Sequence, residues 1–199
     1  MPGAAAVRIR VIASQPEPEV PRGRPSLHTA RCFEVNLDPG HPRFAPRGLP
    51  TRLPLPDGVA DLVFALEIVE HLVDPAHLFD EARRLLKPGG ALVITTPNIA
   101  RIGSVMKLLA GRTNLEDVHP PTSERGGADW APHLREYAPG ELRAIAARAG
   151  FSAVGARCFR NEETDFTHRT PARRAIDLVK WGFGVVPHLR GSLLLVARR

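Results

Sequence analysis

The sequence predicts an α/β fold: a three-layer sandwich with a mostly parallel sheet, a C-terminal antiparallel hairpin and an incomplete N-terminal half-sheet. Three observations carry this reading. Two apolar runs, residues 61–66 and 91–95, lack polar alternation, which suits parallel strands covered on both faces. A helical pattern lies between them, and strand–helix–strand order with a crossover of this length makes a right-handed parallel unit. The first 50 residues, by contrast, are dense in proline, which removes a backbone donor and disfavours long helices.

Taken in order, residues 1–50 read as an irregular Pro-rich segment and residues 51–199 as the folded domain. Two short runs stand out in the first segment. Residues 7–12 largely alternate apolar side chains with arginine, as an edge strand does, and residues 32–37 read as a buried or half-buried strand ending at the Asp38-Pro39-Gly40 turn. Pro54 to Gly58 form a turn before the 61–66 strand. In the helix that follows, Asp74 is placed to cap and Pro75 fits the first turn. Leu78, Ala82, Leu85 and Leu86 share a face of it, and Pro88-Gly89-Gly90 stops it.

A second helix is expected over about 100–110, with Ile102, Val105, Met106 and Leu109 inward and Gly111 at its end. Residues 112–138 are a polar excursion long enough for a lid or substrate loop. Pro139 opens a third helix with Leu142, Ile145, Ala146 and Ala149 inward, stopped by Gly150. Residues 151–159 form a strand and residues 172–181 a helical segment. The last strand, residues 192–197, can pair antiparallel with its predecessor across that helix.

A chain of 199 residues with 43% hydrophobic and 24% charged residues can bury one core, and these values argue against disorder throughout. Its apolar runs are too short to cross a bilayer, and no basic segment leads into an apolar stretch near Met1, so neither a membrane span nor a secretory signal is expected. Cys32 and Cys158 have no metal-type spacing and read as buried free thiols in a reducing cytosol, so the location expected is cytoplasmic and no metal is expected. The net charge of +6 comes almost wholly from arginine, lysine occurring only at Lys87, Lys107 and Lys180. No basic helix face alternates with aromatics, which argues against a nucleic-acid partner.

Four segments in fixed order carry the chemistry. They are Leu53-Pro54-Leu55-Pro56-Asp57-Gly58 with Ala60-Asp61-Leu62-Val63, and Glu67-Ile68-Val69-Glu70-His71-Leu72 with Asp74-Pro75. The third is Leu86-Lys87-Pro88-Gly89-Gly90 followed by Thr95-Thr96-Pro97-Asn98. The fourth is His133-Leu134-Arg135-Glu136-Tyr137 ahead of Glu141-Leu142 and Ala149-Gly150-Phe151. Each alone is a turn or a helix stop. Together, over about residues 50–160, they resemble the class I S-adenosylmethionine-dependent methyltransferase family in its small-molecule branch, and the last segment is similar to members linked to sugar modification. The resemblance implies a Rossmann-like fold, S-adenosyl-L-methionine as cofactor, and methyl transfer to a small-molecule or sugar-like acceptor.

Ligands of open α/β sheets bind beyond the C-terminal ends of the strands. Leu66 and Glu67 lie at one such end, and Thr96-Pro97-Asn98 at another. The resemblance places the loop after the first strand against the methionine part of the cofactor and the Glu70-His71 pair near the reacting centre. His71 is then the candidate general base, with Glu70 beside it, because an imidazole titrates near neutrality; the competing reading is that both are structural. Glu67 either holds the cofactor's ammonium group, lines the acceptor pocket or is a solvated strand-end carboxylate. Asn98 either meets an acceptor hydroxyl or caps the next helix. His133 and Tyr137 either contact acceptor hydroxyls or anchor the loop.

The family's glycine-rich turn between a first strand and helix has no counterpart before Leu53, and the acidic residue for the ribose is represented at best by Asp38. Leu53 opens the stretch expected beside the cofactor. Without that first strand, the flank of the 61–66 strand would be an apolar, unpaired edge. Residues 7–12 and 33–37 could patch it, as could self-association or a partner chain; an N-terminal truncation or a frameshift would equally account for the missing strand. The alternative function is therefore a non-catalytic, methyltransferase-like binding or partner subunit.

Overall fold

The computed structural model describes residues 33, 35–39, 50–113, 133–160 and 170–199. The expected strand at 7–12, Cys32, His119, His168 and most of the polar excursion lie outside the described residues.

Four strands form one sheet in the order β1-β2-β4-β3: β1 (Ala60–Leu66), β2 (Leu86–Pro97), β3 (Ser152–Phe159) and β4 (Ser192–Arg198). β1 runs parallel to β2, and β4 runs antiparallel to both of its neighbours. Three of the four strands therefore point one way, and β3 with β4 is the antiparallel pair that closes the chain. The helices are α1 (Ala76–Leu85), α2 (Ile102–Leu109), α3 (Pro139–Arg148) and α4 (Pro171–Phe183). None is long and apolar enough to cross a membrane.

The register shows which face holds the core. Ala65 pairs with Ile94 and Ile94 with Leu195; Val63 pairs with Leu92 and Leu92 with Ala197. These residues join one cluster with Leu78, Phe79, Ala82 and Leu85 of α1 and with Leu142 and Ala146 of α3. Phe79 meets Phe151 edge to face at 6.3 Å, and the Arg83 side chain donates to the Gly150 carbonyl, so α1 and α3 form one layer. On the opposite face Leu62, Phe64 and Leu66 stand 47%, 59% and 53% exposed. Among the described residues β1 pairs only with β2, so the apolar edge expected from the sequence is present.

Three local expectations are corrected. Residues 33 and 35–37 belong to no strand; the Asn36 side-chain carbonyl accepts from the Asp38 N–H and turns the chain, while Val35 and Leu37 drop into the core. Pro88-Gly89-Gly90 does not sit between helix and strand, because α1 ends at Leu85 and β2 begins at Leu86. Residues 87–90 instead bulge between the Ala60–Leu86 and Leu62–Ala91 pairs. Gly89 takes φ +81°, a conformation that favours glycine, and a Cβ on Gly90 would make a tight contact 3.0 Å from the Lys87 carbonyl oxygen. Finally, α2 buries Ile102 and Ser104 while Met106 and Leu109 are exposed, so its inner face is narrower than its apolar pattern implies.

Candidate functional site

The site begins where β1 ends. The Glu67 N–H donates to the Thr95 carbonyl at 2.9 Å, extending the parallel ladder by one bond. Glu67 itself takes φ +54°, a left-handed conformation that costs a side-chain-bearing residue about 1 kcal/mol or more. That reversal feeds a 3-10 turn, Val69–His71, in which Glu70 is fully buried and His71 half-buried. The backbone is strained at the strand end where an α/β sheet presents ligands.

Glu70 is the unusual residue. Its Oε2 accepts from the Thr96 hydroxyl at 2.9 Å, and its Oε1 is buried without a hydrogen-bond partner. Burial pushes its carboxyl up to about 7, further than the bonds from its own backbone N–H and from Thr96 pull it back, with Glu67 adding a smaller upward push. A buried carboxylate oxygen without a partner costs free energy, and Glu70 Oε1 shares that state with Glu136 Oε2.

The segment 133–137 folds over the turn. The Leu134 and Arg135 N–H groups both donate to the Glu70 carbonyl, at 2.8 and 3.2 Å. Tyr137 forms a parallel bridge with Asn98, and its buried phenol reaches the Val69 carbonyl at 3.5 Å. Burial raises the Tyr137 phenol above its ordinary range. These contacts bring the His133 ring against the His71 ring, centroids 4.8 Å apart and nearly perpendicular. Ligand atoms of Glu70, His71 and His133 all lie within 4.8 Å of one another.

Asn98 is buried and braces the end of β2. Its amide donates to the His188 and Arg190 carbonyls, both at 2.8 Å, and its Oδ1 accepts from the Ala100 N–H. The structure therefore gathers Glu67, Glu70, His71, His133, Tyr137 and Asn98 around the ends of β1 and β2. Asp38 is close to the same turn: its carboxylate accepts from the Val73 and Asp74 N–H groups. Leu66 is on the open sheet face. Leu53 is in the core, its N–H donating to Glu81 at 2.7 Å beside α1.

Three supporting groups were not singled out from the sequence. Thr96 holds Glu70. Glu136 is 2% exposed and pairs with Arg101 at 2.7 Å, pinning the 133–137 segment to the start of α2, with its second oxygen buried and unpartnered. Glu81, also buried, pairs with Arg84, whose guanidinium also reaches the Leu53 and Leu55 carbonyls and Asp57. The i,i+3 spacing of Glu81 and Arg84 was the available signal; the other pairs join distant segments and had none.

Comparison with known proteins finds similarity in sequence over part of the chain. Residues 41–94 match the family described as "Methyltransferase domain". The chain is 46% identical over 46 residues to a probable S-adenosylmethionine-dependent methyltransferase of Mycolicibacterium smegmatis, covering 23% of this chain and 18% of that protein. It is 32% identical over 90 residues to a ubiquinone biosynthesis O-methyltransferase of Caulobacter, covering 45% of this chain and 32% of that one. A solved structure from Thermotoga maritima, titled a SAM-dependent methyltransferase and possible histamine N-methyltransferase, aligns over 74% of this chain and 59% of its own at 14% identity, with a TM-score of 0.46. The chain thus spans about a third or less of the length of these curated relatives. Through the segment that supplies β1, α1, most of β2 and the Glu67–His71 turn, this chain is related to the class I S-adenosylmethionine-dependent methyltransferases.

Proposed function

We propose that this chain carries S-adenosyl-L-methionine-dependent methyl transfer to a small-molecule acceptor, in the crevice beyond the C-terminal ends of β1 and β2. The observation that carries the reading is the orphaned, buried Glu70 Oε1 beside His71 and His133 at a strained strand end. Leu66 and Glu67 offer the donor an exposed apolar side chain and an exposed carboxylate in adjacent positions, which suits a cationic thioether-derived ligand with an ammonium tail. The cofactor supplies an electrophilic methyl group: an acceptor lone pair forms the new bond as the carbon–sulfur bond breaks, leaving the thioether product.

The residues then divide by place. Leu66 and Glu67 flank the methionine part of the cofactor. Asp38 and Leu53 serve the cofactor side by holding backbone, Asp38 through the Val73 and Asp74 N–H groups and Leu53 through Glu81. His71 and Glu70 handle the acceptor's proton, which an in-line transfer to a hydroxyl must release. His133 contacts acceptor hydroxyls, consistent with a sugar-like substrate. Tyr137 and Asn98 position it, because their polar atoms already bond backbone. Calorimetric titration of the full chain with S-adenosyl-L-methionine and its demethylated product tests the reading. Saturable binding weakened by Glu67→Ala supports it, and no heat at near-millimolar ligand overturns it.

A further inference from the structure

The Glu70, His71 and His133 cluster has the composition of a metal site. Its three donors come from two elements 62 residues apart in sequence, so no local spacing revealed it. Two features separate it from an incidental grouping. Glu70 is fully buried and its Oε1 has no hydrogen-bond partner, while Oε2 accepts from the Thr96 hydroxyl. The imidazoles meet edge to face with centroids 4.8 Å apart, and one ring nitrogen of each lies within 4.8 Å of a Glu70 carboxylate oxygen.

We propose that Glu70, His71 and His133 bind a divalent transition-metal ion of the zinc kind. Two imidazoles and one carboxylate form a mixed nitrogen and oxygen set that suits such ions better than calcium or magnesium, which prefer all-oxygen shells. A tetrahedral ion with ligands about 2.1 Å away spaces its donors about 3.4 Å apart. The three donor atoms lie within 4.8 Å of one another, so they must draw in only modestly to reach that spacing. The turn is already fixed by the Leu134 and Arg135 N–H bonds to the Glu70 carbonyl, and Thr96 fixes the second carboxylate oxygen. Three protein ligands leave a coordination position open, as in catalytic sites.

The proposal deepens the methyl-transfer reading, on which the placement of the acceptor rests; metal binding itself does not depend on it. An ion held here would draw charge from an acceptor hydroxyl and make its proton easier to lose, the task otherwise left to the His71 imidazole.

The test uses the full chain, first stripped with chelator. Titration with Zn2+ is expected to show one saturating equivalent, and Co2+ the intense visible bands of a four- or five-coordinate nitrogen and oxygen site. His133→Ala, at a half-buried position, is expected to weaken Zn2+ binding by about tenfold or more with the thermal melt unchanged. Glu70→Gln should weaken it similarly. Should a Glu70 variant fail to fold, the Co2+ spectrum of the unsubstituted chain and the His133→Ala titration still decide. An octahedral Co2+ spectrum, or Zn2+ affinity unaffected by His133→Ala, overturns the proposal. Failure here with S-adenosyl-L-methionine binding intact removes the metal and keeps the methyl-transfer reading; the reverse outcome removes that reading and keeps the metal.

Discussion

The Thr96 hydroxyl donates to the Glu70 carboxylate at 2.9 Å, with both residues fully buried. This bond joins the end of β2 to the turn that leaves β1, and it spans the gap between the two strand ends where the proposed ligands meet. Thr96→Val keeps the shape and removes the donor, leaving a buried carboxylate with neither oxygen bonded by a side chain. Chemical denaturation should show a loss of about 1–3 kcal/mol, and Thr96→Ser, which restores a hydroxyl, should recover most of it. Equal stabilities for the Val and Ser variants would contradict this.

Asn98 makes a sharper comparison possible. Its amide donates to two carbonyls while its Oδ1 accepts one N–H. Asn98→Ala leaves those groups unpaired and should cost about 2–3 kcal/mol. Asn98→Asp is nearly isosteric, but a carboxylate aimed at the His188 and Arg190 carbonyls cannot donate. It should therefore be at least as damaging as alanine at neutral pH, and urea melts of the two variants provide the check.

Glu81 ties Leu53 to α1. Burial works against its charge, but the hydrogen bonds from Arg84 and from the Leu53 N–H outweigh it, and its carboxyl lies below the ordinary value of 4.5. A carboxyl lowered by folding adds stability that is fully present above its unfolded value and is lost as pH falls through the folded one. The chain should therefore lose stability below about pH 4.5, and Glu81→Gln should flatten that part of the profile. Glu81→Ala, which strands both partners, should cost about 3 kcal/mol near neutrality. Thermal melts from pH 3 to pH 7 (about four units, spanning the window) measure both effects.

Much of this architecture was legible in the sequence. The 61–66 and 91–95 runs were readable as strands from their apolar residues, but the expected cover on both faces fails for β1, where α1 and α3 form one layer and Leu62, Phe64 and Leu66 stand exposed on the other side. Leu142 with Ala146 marked the inner stripe of α3. Lys87 to Gly90 misled because a glycine pair after a helix reads as a stop, whereas here β2 has already begun and the pair serves a bulge. Met106 and Leu109 misled because an apolar helix stripe shows what could be buried, not which packing partner is present. At the candidate site, Glu70 and His71 were singled out by local motif. Their meeting with His133, and the Arg101–Glu136 pair that holds the segment, depend on contacts between distant residues that no single-sequence period encodes.

The open sheet face predicts behaviour in solution. Phe64 is 59% exposed beside Leu62 and Leu66 on an edge strand, the arrangement that invites association. Sedimentation velocity should show mass rising with concentration. Phe64→Lys should reduce that rise while changing unfolding free energy by no more than about 0.5 kcal/mol. A chain that stays monomeric throughout would show that this face needs no partner.

The account depends on the crevice at the ends of β1 and β2 being where the sulfonium donor binds. Hydrogen exchange read by mass spectrometry, with and without saturating S-adenosylhomocysteine, addresses the location directly. Peptides covering Leu66 to Leu72 and Thr95 to Asn98 should gain protection together. Ligand-dependent protection confined to other parts of the chain, or none at all, would contradict it.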